Sequence, residues 1–525
     1  MKKKTIISCL VGAAVICSIP ACTNLDEKVY DKLPADTFGK TKVEVNALIG
    51  SVYNTLKVYF SGGNYLALDE MGGSSAVTPT RKGGDWYDGG QYREIYMHTY
   101  TAQTSCVKNA WTNASESIGR CNATLLALSK TEVLTEEERT TRMVEVRGVR
   151  AFWYYKLVDD FGNVPLVTDY GDRNLPATKT RQEVFDWLIQ EVNAIKDLCP
   201  ERKDNYGKFT QGAAYTLLAK LLLNAEAWGV NYSGNAYGEV VDACNKVMGM
   251  GYALESNWKD NFCLTNEKSN EAILAAIFSN SDTDDRNQLM NRTLHYKDHL
   301  ALGIKASGTW NGVCAQPGYV KLFDTEDPRY TGTYLIGLMI DRSTGKPVIT
   351  DHGFELNHTV DVTMIPNTEY DGTTWGAVNQ HDGARCQKWE FAADLTDAME
   401  NDFHIFRLAD VYLMKAEALI RGNGDAAEAT RCVNAVRQRA YGDKMHDYAT
   451  VGLKEIQAER RYELAWELYS RQDDIRFGCY EQGMWPESNC TRSTDVHYRL
   501  YPVSQGAWQT NPNLVQNPGY PKFSE

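Results

Sequence analysis

Apolar residues recur at three- and four-residue spacing through two long stretches of this chain, and that period is helical. Val43, Ala47, Leu48, Val52 and Leu56 share one helix face, and the apolar positions of Cys106 to Leu128, Glu136 to Val158 and Val184 to Leu198 repeat the pattern. Gln211 to Trp228 is rich in Ala and Leu, and Tyr237 to Met250 predicts its partner helix. A second block runs from His404 to Arg476. There Leu408 to Ile420 predicts one helix, Gly422-Asn423-Gly424 turns the chain, and Ala426 to Ala440 returns with Ala429, Val433 and Val436 inward. A third helix is expected from Gly452 to Tyr469. Small Ala416, Ala418, Ala427 and Ala429 let paired helices approach closely, as tetratricopeptide-like repeats do, although no strict repeat period is visible. The expectation is an all-α fold of helical pairs.

Between the blocks, residues 279–401 are rich in Asp, Asn, Gly and Thr, with Tyr296, Trp310, Tyr319, Tyr334, Tyr370, Trp375 and Trp389 interspersed. The helical period fades, and Pro347 to Pro366 partly alternates as short strands would. So many aromatics exclude a disordered linker. The reading is a loop-rich insertion containing short strands, seated on helical parts 37–278 and 402–478 and followed by a C-terminal segment, 479–525. Loops on a rigid scaffold are where binding residues tend to lie.

The first residues say where the protein works. Lys2, Lys3 and Lys4 precede an apolar run, Ile6 to Cys17, too short to span a bilayer, and Ile19-Pro20-Ala21-Cys22 follows. A small residue before a cysteine at a cleavage point is similar to a bacterial lipobox. Residues 1–21 then form a lipoprotein signal peptide, Cys22 the lipidated first residue of the mature chain, and 22–36 an acidic tether. Stable anchoring needs more than one acyl chain.

Composition narrows the partners. The formal net charge is -13, which disfavours nucleic acid and suits neutral ligands or cations. None of the 13 cysteines forms a CxxC pair, so structural zinc is not expected, while buried thiols and one or two disulfides stay open. Gly422-Asn423-Gly424-Asp425-Ala426-Ala427 fits a dinucleotide fingerprint on paper but follows a helix where a strand is required, and reads as an interhelical turn. HExxH, GxSxG and P-loop motifs are absent from the sequence. His295 and His299 could face one way on a helix, yet the nine histidines make no ligand cluster. No catalytic residue, metal or cofactor is assigned; a calcium ion ordering a loop is left open. Acid pairs abound, and sequence cannot set them at the separations that glycoside hydrolysis demands.

Aromatic loops are the positive signal. Residues 80–92 place Trp86 and Tyr87 between glycines and acids, with little apolar neighbourhood to bury them. An exposed indole suits the apolar face of a sugar ring, and flanking Asp85 and Arg81 suit its hydroxyls. Trp310, in Ser307 to Gly312, and Trp375, in Gly372 to Gly376, are further candidates, as is the Tyr296 region. Trp153, Trp187 and Trp466 lie at helical positions and are assigned to core packing.

Several segments together resemble the SusD/RagB family of Bacteroidetes outer-membrane lipoproteins. Cys22 to Asp26 looks like the family's lipidated start; EVRGVRAFWYY (145–155) with DFGNVPL (160–166) resembles its most recognisable helix and turn. RLADVYLMKAEA (407–418) is similar to its repeat helix, ERRYEL (459–464) with RQDDIR (471–476) to its late helix, and NPNLVQNPGY (511–520) to its closing segment. The resemblance implies a tetratricopeptide-like scaffold bearing a variable loop region. It further implies a non-catalytic, outward-facing glycan-binding protein, held on the outer membrane by its lipid, that delivers oligosaccharide or polysaccharide to a TonB-dependent SusC-like transporter. A peptide-binding role within the family, or less favourably a helical glycoside hydrolase, is the alternative. Family binding residues do not carry over as a motif; Arg81, Asp85, Trp86, Tyr87, Tyr296 and Trp310 resemble the sugar-platform segments of members that bind plant-type glycans.

Overall fold

The structure, a computed structural model, describes residues 39–60, 64–81, 84–172, 174–279, 287–305, 308–362, 381–394, 399–482 and 492–523. The signal peptide, Cys22, the tether and Trp375 lie outside the described residues. Helices dominate: α1 (Lys42–Phe60), α2 (Ser105–Lys130), α3 (Glu136–Phe161), α4 (Arg181–Ile195), α5 (Gln211–Asn224) and α6 (Ala236–Met248) form the first block. The last four have start signals legible in the chain. Thr135 and Thr180 make capping boxes with Glu138 and Glu183, and Thr210 and Asn235 cap α5 and α6. Consecutive helices pack as pairs, α2 on α3, α3 on α4 and α5 on α6.

The family-like EVRGVRAFWYY segment is the buried middle of α3. Trp153 is fully buried and its indole N–H donates to the Thr55 hydroxyl at 3.0 Å, joining α3 to α1. Gly148 is required by a close approach: a side chain there would meet the Phe209 ring at 2.1 Å. The helix thus buries one face against α1 and another beneath the loop before α5.

The second block departs from the expectation at both ends. Residues 403–407, counted within the helical part 402–478, form strand β2 (Phe403–Arg407), which pairs antiparallel with β1 (Ala272–Ala276). Both strands are buried on both faces, so neither shows the alternation that would have marked it. Helix α7 (Leu289–Thr293) lies in the insertion between the two strands; α8 (Leu408–Arg421) and α9 (Ala426–Tyr441) follow β2, and α8 packs on both α9 and α6, which stacks the pairs. The turn between α8 and α9 is the expected interhelical one, with the Asp425 carboxylate accepting from the N–H groups of Ala427 and Glu428.

Helix α10 (Leu453–Leu464) stops short of the expected Tyr469, and α11 (Ser470–Arg476) starts anew. Trp466 is fully buried as expected but not helical; it and Leu468 sit at φ 68° and 65°. Charge explains the break. The buried Lys388 ammonium donates to the carbonyls of Glu463 and Ala465, and Glu463 and Glu467 turn inward onto Arg407. Arg329 and Arg439 complete this knot around Glu463. Burial opposes a charge on Glu463, and the three guanidiniums outweigh it, holding its carboxyl well below the usual range.

The insertion is loop with short two-residue strands, as expected, and its described residues also form short helices such as α7 and Pro328–Thr333; isolated bridges join Ile340 to Pro347 and Ile349 to Glu355. No described helix is long and apolar enough to cross a membrane.

Candidate functional site

Two segments far apart in sequence meet through a short ladder. Residues Ala76–Val77 pair antiparallel with Cys314–Ala315, and the Gln316 amide donates to the carbonyls of Gly73 and Ala76. This places the loop after Val77 beside the loop before Cys314. The second loop is itself pinned to the end of α7, because the N–H groups of Trp310, Asn311 and Gly312 donate to Asn291, Leu294 and Arg292 carbonyls at 2.5, 2.8 and 2.8 Å.

The first loop is a run of tight turns. The N–H of Gly84 donates to the Arg81 carbonyl, that of Tyr87 to Gly84, and that of Gly90 to Tyr87. Trp86 and Asp88 occupy the left-handed region, at φ 64° and 44°. For a residue as bulky as tryptophan this conformation costs on the order of 1–3 kcal/mol and persists only where surroundings over-determine it. Here they do. The Trp86 indole N–H donates to the Trp310 carbonyl at 2.7 Å, and the indole lies so close over Gly312 that a side chain there would sit 2.3 Å from Cε2.

The outcome is an aromatic platform. The rings of Trp86 and Trp310 lie 6.5 Å apart between centroids and are tilted by 41°; Tyr92 packs against Trp86 at 5.7 Å. Trp310 is 37 % exposed, Trp86 is half-buried and Asp85 is exposed. Tyr296 donates its hydroxyl to the Asp85 carboxylate, tying the α7 side to the Trp86 loop. Burial, then the Asp85 charge, raises the Tyr296 phenol well above its usual range, so it stays a neutral donor. Tyr87 lies over Gly90 at the edge of the loop.

Four of the sequence candidates, Asp85, Trp86, Tyr296 and Trp310, therefore converge, with Tyr87 beside them. Arg81 is corrected. It is 1 % exposed, and its guanidinium donates to the carbonyls of Asn311, Gly312 and Asp382 at 3.1, 3.0 and 2.8 Å. It clamps three loops together below the surface and presents nothing to a ligand; a charged residue in a glycine-rich loop gives no sign of such burial in sequence. Beneath the platform His295 is buried and its pKa falls to about 3, mainly from desolvation, so it is neutral there. His299 turns its ring to the Tyr296 carbonyl, and the two histidines form no pair.

Arg292 is the residue that the sequence did not single out. Its guanidinium carbon lies 5.6 Å from the Trp86 ring and 5.5 Å from the Trp310 ring. The only carboxylate cluster with metal-like spacing among the described residues, Asp69, Asp159 and Asp160, lies elsewhere and encloses the Lys156 ammonium and the Arg471 guanidinium.

Two family profiles match the chain. One described as "Starch-binding associating with outer membrane" covers residues 24–223, and one described as "SusD family" covers residues 270–520. The starch-binding protein SusD of Bacteroides thetaiotaomicron is 26% identical over 431 residues, 75% of this chain and 75% of that one. Among solved structures, a laminarin binding SusD-like protein superimposes with a TM-score of 0.73 at 22% identity, over 92% of this chain and 100% of that chain. Surface glycan-binding protein A from Bacteroides uniformis does so with a TM-score of 0.69 at 19% identity, over 90% and 98%. With both profiles in sequence order across almost its whole length and the fold shared, the chain belongs to the SusD family of outer-membrane-associated proteins.

Proposed function

We propose that the protein is a non-catalytic cell-surface receptor that captures an oligosaccharide or polysaccharide on the Trp86–Trp310 platform and hands it to a SusC-like TonB-dependent transporter. The observation that carries the reading is the pair of tilted, partly exposed indoles, brought together from distant segments on a backbone that holds Trp86 in the left-handed region. Flat apolar rings flanked by the Asp85 carboxylate match a sugar, which has an apolar face and a hydroxyl-bearing rim. The names of relatives, starch-binding and laminarin binding, support the same ligand class.

Binding here involves no bond chemistry. Stacking plus a few water-exposed hydrogen bonds gives modest affinity per site, which suits a ligand that must be released to a transporter. Cys22, lipidated, would hold the body to the outer membrane, facing outward, through the tether up to Asp36. The experiment is a glycan-array screen followed by calorimetry on wild type and Trp86→Ala. A glycan bound by the first, weakened about thirtyfold in the second with unchanged folding, is the expected result; unchanged affinity removes Trp86 from the site. Shortened glycan products on incubation would instead favour a hydrolase, and binding only to peptides the peptide reading. Cys22→Ala should leave binding in solution intact and abolish surface retention, and wild-type surface levels would overturn the anchor.

A further inference from the structure

Arg292 occupies a position that a charged side chain does not take up without compensation. It is half-buried near the end of α7, and its Nε, wholly out of water, finds no hydrogen-bond acceptor among the described residues. An orphaned buried donor costs on the order of 1–3 kcal/mol. Besides an interaction with the Tyr92 hydroxyl, what offsets that cost is visible on either hand: the guanidinium carbon is almost equidistant from the two indole centroids, 5.6 Å from Trp86 and 5.5 Å from Trp310. A guanidinium is planar and weakly hydrated, so it can pack against aromatic rings in a way that a compact ammonium cannot. The Arg292 carbonyl, meanwhile, accepts from the N–H groups of Gly312 and Val313 at 2.8 and 2.9 Å. Residue 292 therefore grips the Trp310 loop by its backbone and both tryptophans by its side chain.

We propose that Arg292 is a positioning residue of the platform: its guanidinium plate sets the separation and tilt of the Trp86 and Trp310 rings, and so fixes the surface on which a ligand stacks. The alternative ways of holding the pair are insufficient. The indole N–H bond, Gly312 and Tyr92 hold the Trp86 ring but do not set the Trp310 ring, whose hydrogen bonds among the described residues are made through its main chain. A plate touching both rings removes the remaining freedom, and prior ordering of this kind raises affinity by lowering the entropy lost on binding. The inference rests on the reading of these rings as a ligand platform only for its affinity arm.

The test therefore has a ligand-free arm. Two indoles this close couple their transitions, and the coupling appears as a circular-dichroism couplet isolated by subtracting the spectrum of Trp86→Phe from that of wild type. In Arg292→Ala the couplet should collapse while the far-ultraviolet helical signal stays, and affinity for whichever of soluble starch, laminarin or an array-positive glycan binds wild type should fall about tenfold. Arg292→Lys keeps the charge and loses the plate, so it should resemble Arg292→Ala. Combining Arg292→Ala with Trp86→Ala should be no weaker than Trp86→Ala alone, since both act through one ring pair. A wild-type couplet in Arg292→Ala, or, should that variant not fold, in Arg292→Lys, overturns the proposal. If no glycan binds wild type, the receptor reading fails while the couplet still decides the role of Arg292.

Discussion

Around Glu463, Arg329, Arg407 and Arg439 lie almost wholly out of water with Glu271, Glu459 and Glu467, whereas at the platform Arg292 and Trp310 remain partly exposed. Both regions join segments remote in sequence. The first does so with charges that neutralise one another in the interior; Arg407 alone reaches Glu271, Glu463 and Glu467. The second does so with aromatic faces on a strained loop. Paired charges tolerate no substitution that leaves one of them alone, because the survivor is stranded in low dielectric. Stacked rings at the surface tolerate change in stability but not in shape. Two of the family-like motifs supply buried charges of the first kind: RLADVYLMKAEA gives Arg407 and ERRYEL gives Glu459 and Glu463 to the network, while Asp410, Glu417 and Arg460 from the same motifs form further buried ion pairs. What is recognisable in the sequence is therefore scaffold, and the surface proposed to bind lies elsewhere.

The largest expected effect breaks the scaffold and leaves the platform untouched. Arg407→Ala takes one guanidinium from Glu463, Glu467 and Glu271 and leaves the buried cluster one positive charge short, although Arg329, Arg439 and Lys388 still touch these carboxylates; losing one partner of a buried ion pair costs about 3–5 kcal/mol, against a total stability of roughly 5–15 kcal/mol. Chemical denaturation should show a loss of at least that size or no folded protein. A loss within about 0.5 kcal/mol, the range of an ordinary surface substitution, would mean that the network is ornamental.

A pH dependence comes next. Glu70 is fully buried, accepting from the Ser75 hydroxyl and the Leu468 N–H, and desolvation raises its pKa to about 7. The unfolded chain releases that proton near the ordinary value of 4.5. Between those values the folded state binds more protons than the unfolded one, so stability falls as pH rises toward 7, by as much as about 1.4 kcal/mol per unit. Asp402, raised to about 6 by burial, acts with the same sign. Denaturation at pH 5, 6, 7 and 8 should show this slope in wild type and a shallower one in Glu70→Gln. Identical slopes would exclude Glu70 as its source. The platform should not share it, since His295, with its pKa near 3, carries no charge anywhere in that range.

The contrast also explains what the chain disclosed. Helices announced themselves through apolar spacing and through Thr135, Thr180 and Asp425 at their starts. The break at Trp466 did not, because it is caused by Glu463 and Glu467 facing inward, and periodicity assigns charges outward. Strand β2 was hidden because all five of its residues are buried. At the site, Trp86 and Trp310 were legible as tryptophans among glycines and polar residues. Their meeting was not, since it depends on the Ala76–Val77 ladder with Cys314–Ala315, a pairing with no local signature. For the same reason Arg81 looked exposed and Arg292 looked ordinary.

Gly312 offers the smallest and sharpest separation of the two regions. It has no side chain because the Trp86 indole lies where one would be, 2.3 Å from an added Cβ. In Gly312→Ala the ring must move. Overpacking of this kind costs about 1–3 kcal/mol where neighbours are rigid, but Trp86 is only half-buried and can swing toward solvent. The expected cost in stability is thus at the low end, about 1 kcal/mol, while the indole pair is taken apart. Calorimetry with an array-positive glycan should then show a loss approaching that of Trp86→Ala, and the scaffold's pH slope should be unchanged. Should Gly312→Ala instead destabilise the protein by several kilocalories and keep wild-type affinity, the loop would be part of the scaffold and the platform would not be a separate, shape-determined surface.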